Sequence, residues 1–217
     1  MQIRHARLDI AEKHLKPEPT DIILSVGCKR GELERTLLPN IKALYAVDIE
    51  EPSYDGASLA DEGIQFSIAD VTKTLPFADH YFDKVLFLEV IEHVPSGLEY
   101  KALQEIHRVL KPGGTIVLST PNKHPVGCAM DPAYWLEGHR HYRPETIVNL
   151  LESCGFIIEN VQVNGAWREA FLLPVYYLAL RVGLKNRSHN WIHRQINREY
   201  QPEKQGWYTI SIAGTKK

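Results

Sequence analysis

Two spacings of apolar residues divide the chain. Compact runs with strand character fall at residues 22–26, 43–47, 64–69, 82–88, 115–119 and 156–163. Between them the apolar positions recur every three or four residues, the period of a helix with one buried face. Residues 2–15 place Leu8, Ala11 and Leu15 on one face and are stopped by Pro17 and Pro19. A short helix is expected from Gly31 to Leu38, ahead of Pro39, and another at residues 55–62. From Leu98 to Leu110 the stripe is Ala102, Leu103, Ile106, Val109 and Leu110, closed by Lys111-Pro112-Gly113-Gly114. Pro144 and Glu145 open a further helix with Ile147, Leu150, Leu151 and Cys154 in line, and Gly155 stands where a left-handed cap is wanted. A helical segment spans roughly residues 166–182. Residues 183–205 are polar, basic and poorly periodic, and residues 207–213 form a last strand.

Strands alternating with helices of this length predict an α/β fold: a doubly wound, mainly parallel, seven-stranded sheet with helices on both faces. The chain reads as one domain. It comprises an N-terminal helix (1–19), a core (20–163), a covering insertion (164–205) and the last strand (206–217). Such sheets bind ligands at the carboxyl ends of their strands. Gly27, Asp48, Asp70 and Glu89 all fall at or just beyond such ends. The run Ile22-Ile23-Leu24-Ser25-Val26 stops at Gly27, and Gly31 opens the next helix. Asp48 then ends the following strand, which is the order of a nucleotide-binding unit. The turn reads G-x-x-x-G rather than G-x-G-x-x-G, so a nicotinamide dehydrogenase fits less well.

Composition adds bounds rather than direction. With 44% hydrophobic and 24% charged residues and a formal charge of −2, nothing points to nucleic acid as a partner. The charge is uneven: residues 48–92 hold eleven acids and two bases, and residues 181–204 hold six bases and two acids. An acidic flank beside the expected ligand site favours a cationic ligand. Three scattered cysteines make neither a disulfide framework nor a zinc module, and no metal is expected. The charged N-terminus does not read as a signal peptide, and the run Phe171 to Leu180 is too short to span a membrane. A cytoplasmic protein is the default expectation.

Five blocks in this order resemble the class I S-adenosylmethionine-dependent methyltransferases, of the ubiquinone/menaquinone-biosynthesis-like small-molecule group. They are "ILSVGCKRG", "AVDIE", "FSIADVTKTLPFADHYFDKVLFLEVIEHV", "EIHRVLKPGGTIVLSTPN" and "HRHYRPETIVNLLESCGF". The resemblance covers about residues 20–163. It implies a Rossmann-like methyltransferase fold with S-adenosylmethionine as cofactor. Gly27 and Gly31 would shape the turn against it, and Asp48, with Ile49 beside it, would hold the ribose. Asp70 would face the adenine amino group with Val71 against the ring, and Glu89 would line the methionine end. Two positions depart from the family's usual pattern: Ser25 stands where an acid is usual and Lys29 where a glycine is usual.

On the acceptor side, histidine is the best general base near neutral pH. His139 and His141 are the candidate catalytic residues, in the segment His139-Arg140-His141-Tyr142. The aromatic, apolar insertion followed by a basic tract points to a small-molecule or lipid-linked acceptor, with peripheral membrane contact through residues 171–204 or a homodimer interface there. Two functions follow, of different classes. One is methyl transfer, more naturally to oxygen. The other is a degenerate methyltransferase fold with weak or no cofactor binding that serves as a binding or partner module.

Overall fold

The structure is a computed structural model that describes residues 6–29, 31–51, 59–131, 134–135, 138–181, 189–200 and 205–217. Seven strands form one sheet in the order β3-β2-β1-β4-β5-β7-β6. They are β1 (Ile22–Val26), β2 (Ala43–Asp48), β3 (Gln65–Ile68), β4 (Phe82–Leu88), β5 (Leu110–Pro121), β6 (Phe156–Asn164) and β7 (Thr209–Lys216). Strands β1 to β5 pair in parallel, while β7 runs antiparallel between β5 and β6. The order reverses beside β1, and that is where the glycine turn lies.

Helices α1 (Ala6–Leu15) and α2 (Glu32–Leu37) cover one face of the sheet. There Ala11, Leu15, Leu33 and Leu37 pack with Ile23, Leu44, Leu86 and Val117. Helix α3 (Glu99–Val109) and helix α5 (Pro144–Ser153) cover the other face, with Ala102, Leu103, Ile106, Ile147 and Leu151 against Val85, Phe87, Ile116 and Leu118. Helix α4 (Pro125–Met130) lies between β5 and α5. Helices α6 (Trp167–Arg181) and α7 (His189–Asn197) form the insertion before β7.

The sequence and the fold part at three places. Lys111-Pro112-Gly113-Gly114 does not merely end α3; it lies inside β5, where a register shift after the Phe82–Leu110 pair absorbs the proline and glycines. The polar tract 183–205 contains helix α7, whose Ile192 and Ile196 pack on Ile10 of α1. Helix α4 carries no periodic signal of its own. Of the helix expected at residues 55–62, residues 55–58 lie outside the described residues, and residues 59–63 form turns.

A buried polar cluster locks α1, the end of β4 and the insertion together. The Arg7 guanidinium donates to the Tyr200 hydroxyl at 2.9 Å and to Glu89 Oε2 at 3.0 Å, and also to Glu169 Oε1. Glu169 has no exposed side-chain area and accepts a second hydrogen bond from Tyr200. At the other end of the insertion, the Glu199 carboxylate accepts from the amides of Ala166, Arg168 and Glu169 and so caps α6. None of these partners is close in sequence, so charged side chains tie the insertion to α1 and β4 alongside the apolar packing of Ile192 and Ile196 on Ile10.

A second buried acid lies beneath the glycine turn. Ser25 donates from Oγ to Glu34 Oε1 at 2.5 Å, and both residues are buried. Burial pushes the Glu34 carboxyl above its usual value. The carboxyl that is missing at position 25 thus approaches the end of β1 from helix α2 instead.

Two predictions follow from these clusters. Arg7→Met should destabilise the fold by about 2 kcal/mol, less than the roughly 3–5 kcal/mol for breaking a fully buried pair, because Arg7 keeps some exposure. Urea unfolding measures this, and an unchanged midpoint contradicts it. A carboxyl whose pKa rises on folding contributes stability below its unfolded pKa and loses it as pH rises through the folded value. Glu34→Gln should therefore raise the melting temperature at pH 8, with the gain vanishing towards pH 4. A lower melting temperature than wild type at pH 8 would refute it.

Candidate active site

The carboxyl ends of β1, β2 and β4 converge on the turn that joins β1 to α2. Gly27 sits at φ 78°, and a Cβ there would meet Val90 Cγ2 at 2.2 Å. Gly31 sits at φ 68°, where a Cβ would meet Leu59 Cδ2 at 2.5 Å. Both positions therefore need glycine for backbone shape and for close packing. Between them Lys29 also adopts a left-handed conformation, φ 48°, although it carries a side chain. That conformation costs about 1 kcal/mol for a residue other than glycine. The Lys29 side chain is exposed, and its amide donates to Asp48 Oδ2 at 2.9 Å. The turn thus keeps a glycine-like path without the glycine.

Asp48 is fixed from both sides. Oδ2 takes the Lys29 amide, and Oδ1 takes the Ile49 amide at 2.8 Å. Each carboxylate oxygen keeps a second lone pair for a hydroxyl donor. Ile49 is 67% exposed, so an apolar surface stands directly beside that carboxylate. At the end of β3, Asp70 Oδ1 accepts from the amide of Thr72 at 2.9 Å and from its hydroxyl at 2.7 Å. These bonds, with Lys73 nearby, hold the Asp70 carboxyl below its ordinary value. Val71 beside it is buried. A vicinal diol donating to Asp48 and a flat ring lying on Ile49 suit these residues, so the set fits an adenosine-bearing ligand.

Glu89 follows β4 in a left-handed conformation, φ 54°. Backbone strain of this kind at a strand end is characteristic of functional sites. Its carboxylate is already shared: Oε1 accepts from Ser119 Oγ at 2.7 Å and Oε2 from Arg7. Three residues on, Glu92 is buried and accepts from Thr120 Oγ1 at 3.0 Å. Burial, and then the neighbouring Glu89, push the Glu92 carboxyl well above its usual value. Arg7 lies outside every block quoted above, and Glu92, although inside the third, is not singled out by it; both are picked out by contacts across the fold. Asp83, the second residue of β4, accepts from the Ile22 amide at 2.9 Å and from Lys111 at 2.6 Å.

The predicted acceptor segment is pinned over the loop that follows β4. Arg140 donates to the carbonyl of Ile91 at 3.1 Å, to that of Val94, and to the Glu99 carboxylate. Its guanidinium lies 5.5 Å from the centre of the Tyr142 ring. This brings the His139 ring edge-on to His93, with centroids 4.3 Å apart. His141 is oriented differently. Its Nε2 is 2.9 Å from Asp131 Oδ2 and its Nδ1 is 3.3 Å from Cys128 Sγ, so both ring nitrogens are engaged. Among the described residues no group of three metal-ligating side chains converges.

Known proteins show where this geometry recurs. A model of the methyltransferase domain matches residues 24–118. The ubiquinone biosynthesis O-methyltransferase of Dinoroseobacter shibae is 33% identical over 157 residues, covering 66% of this chain and 62% of that protein. The chain spans about half the length of several of the curated relatives that it matches. Among solved structures, the [4+2]-cyclase SpnF superposes with a TM-score of 0.70 at 20% identity, covering 97% of this chain and 81% of that one. A Burkholderia thailandensis 1,6-didemethyltoxoflavin-N1-methyltransferase, solved with S-adenosylhomocysteine, gives a TM-score of 0.61 at 16% identity, covering 96% and 76%. At these identities the solved structures speak to the fold alone, while the domain match and the named relatives speak to descent. Over its strand-rich core the chain is thus similar to S-adenosylmethionine-dependent methyltransferases, in keeping with the turn, the acid at the end of β2 and the sheet order.

Proposed function

We propose that the chain transfers a methyl group from S-adenosylmethionine to an oxygen atom of a small or lipid-like acceptor. The observation that carries this reading is the turn itself. Lys29 takes the left-handed path and donates its amide to Asp48, so the departure at that position leaves the ribose-facing carboxylate in place. Bound there, S-adenosylmethionine would supply an electrophilic methyl group. Asp48 would accept the ribose hydroxyls, Ile49 would lie against the adenine, and Asp70 with Val71 would border its far edge. Glu89, held by Arg7 and Ser119, would form the wall at the methionine end.

Transfer of this kind is an in-line displacement that depends on alignment and on exclusion of water. The cover formed by α6 and α7, tied down through Arg7, provides the exclusion. His139, whose ring meets His93 edge-on in the loop region above β4, is the acceptor-side base in this reading. Oxygen is favoured as the acceptor atom because the D. shibae relative carries the name of an O-methyltransferase. The alternative, a partner module that has lost the cofactor, draws on Ser25 and Lys29. Glu34 beneath the turn and the glycine-like path of Lys29 weigh against it.

The cover also suggests how an apolar acceptor arrives. Trp167, Phe171, Val175 and Leu178 are exposed along α6, and Trp191 is exposed on α7. Exposed Arg168 and Arg198, which share Gln195, border that surface. Apolar rings beside arginine suit a membrane interface rich in anionic lipid. Among the described residues no helix is long and apolar enough to cross a membrane.

Two outcomes are expected. Asp48→Ala should weaken binding of S-adenosylhomocysteine by more than about tenfold, because it removes charge-assisted hydrogen bonds; unchanged affinity by calorimetry sinks the assignment. The double variant Trp167→Ser/Phe171→Ser should lower co-sedimentation with vesicles containing phosphatidylglycerol by about fivefold or more. Equal pelleting of the variant and wild type, or no pelleting of wild type, refutes the surface contact.

A further inference from the structure

Methyl transfer leaves one arrangement on the acceptor side without a use. Cys128, His141 and Asp131 stand in a row: Sγ lies 3.3 Å from His141 Nδ1, and His141 Nε2 lies 2.9 Å from Asp131 Oδ2. The imidazole and the carboxylate are buried, with side chains 2% and 8% exposed, whereas Cys128 is partly open. An ionised carboxylate only accepts, so Asp131 accepts a hydrogen bond from the Nε2–H of His141 and fixes the tautomer. The Nδ1 lone pair is then left facing the thiol. This is the nucleophile, base and orienting group that an activated thiol requires, with each pair within reach.

Burial pushes the Cys128 thiol up from its usual value, so the sulfur rests as a neutral thiol. The other two cysteines lack this setting. Cys28 is buried and pushed up to about 12, and Cys154 is buried with its thiol directed at the Tyr100 carbonyl. The rim beside Cys128 is aromatic. Tyr134 meets the His141 ring edge-on at 5.0 Å, and Trp135, 69% exposed, donates from Nε1 to the Ala129 carbonyl at 3.3 Å. Such rings suit a flat, conjugated ligand. The buried Tyr208 hydroxyl, near enough to Asp131 to feel its charge, has no hydrogen-bond partner among the described residues.

We propose that Cys128 is a nucleophilic thiol, with His141 as its base and Asp131 as the positioning carboxylate, that forms covalent adducts with conjugated carbonyl compounds. The S–H bond breaks as its proton passes to His141 Nδ1, and Asp131 stabilises the imidazolium. The thiolate sulfur forms a bond to the β-carbon, and the double-bond electrons shift towards the carbonyl oxygen. The proton returns from His141 to the α-carbon, so the addition is redox-neutral and has no leaving group. The site does not depend on the methyl-transfer reading.

The test uses N-ethylmaleimide, itself a conjugated carbonyl, on the whole protein, with peptide mass spectrometry to read each cysteine. In wild type, Cys128 should be modified at least about tenfold faster than Cys28 or Cys154. His141→Gln should slow Cys128 by about tenfold or more. The pH profile separates a base from a structural support, given that Lys123, His124, Asp131 and Tyr134 are the other ionisable groups around the pair. The wild-type rate should depend on pH less steeply than the His141→Gln rate, which should rise about tenfold per pH unit as the free thiol ionises. If His141→Gln does not fold by near-ultraviolet circular dichroism, Asp131→Asn takes its place with the same expected slowing. Modification of Cys128 at the wild-type rate in the folded variant, or no preference for Cys128 in wild type, overturns the proposal.

Discussion

The hydrogen bond from the Lys29 amide to the Asp48 carboxylate joins the ends of two neighbouring parallel strands, and the site is organised around it. Parallel pairing of β1 with β2 brings Gly27 and Asp48 to the same edge of the sheet. The amide at position 29 can point at that carboxylate only if the backbone is left-handed there, which a lysine adopts at a cost of about 1 kcal/mol. The neighbours at Gly27 and Gly31 permit the path because they carry no Cβ where Val90 and Leu59 pack.

The second organising feature is the Arg7 guanidinium. It joins the first helix, the residue after β4 and the insertion in one cluster. Glu89 belongs to this cluster, and in the proposed function it also lines the methionine end of the cofactor, so any shift of the insertion passes through it. The buried Glu92 beside it adds a second carboxyl, held above its usual value by burial.

Much of the fold was legible because each strand is a compact apolar run and each long helix a clear stripe. The mainly parallel sheet, the glycine turn and the acid at the end of β2 follow from local pattern alone. What escaped the pattern depends on partners distant in sequence. Arg7 and Glu169 are 162 positions apart, and neither sits in a motif. Glu34 resembles any surface acid of a short helix until Ser25 is found against it in the core. Helix α7 was hidden because its apolar stripe is short and lies in a charged tract; Ile192 and Ile196 acquire meaning only against Ile10. The strand register placed Gly113 and Gly114 inside β5, although their composition is that of a turn. On the acceptor side, His139 and His141 look equivalent by sequence, and only the contacts to His93, Asp131 and Cys128 separate them.

The central claim is that the turn with Lys29 in a glycine's place still forms a cofactor site. Isothermal titration of the unaltered, folded chain with S-adenosylhomocysteine tests it most directly. The account predicts saturable binding of one molecule per chain. A chain shown to be folded by circular dichroism that gives no binding heat at any temperature tried, with ligand at millimolar concentration, would contradict it.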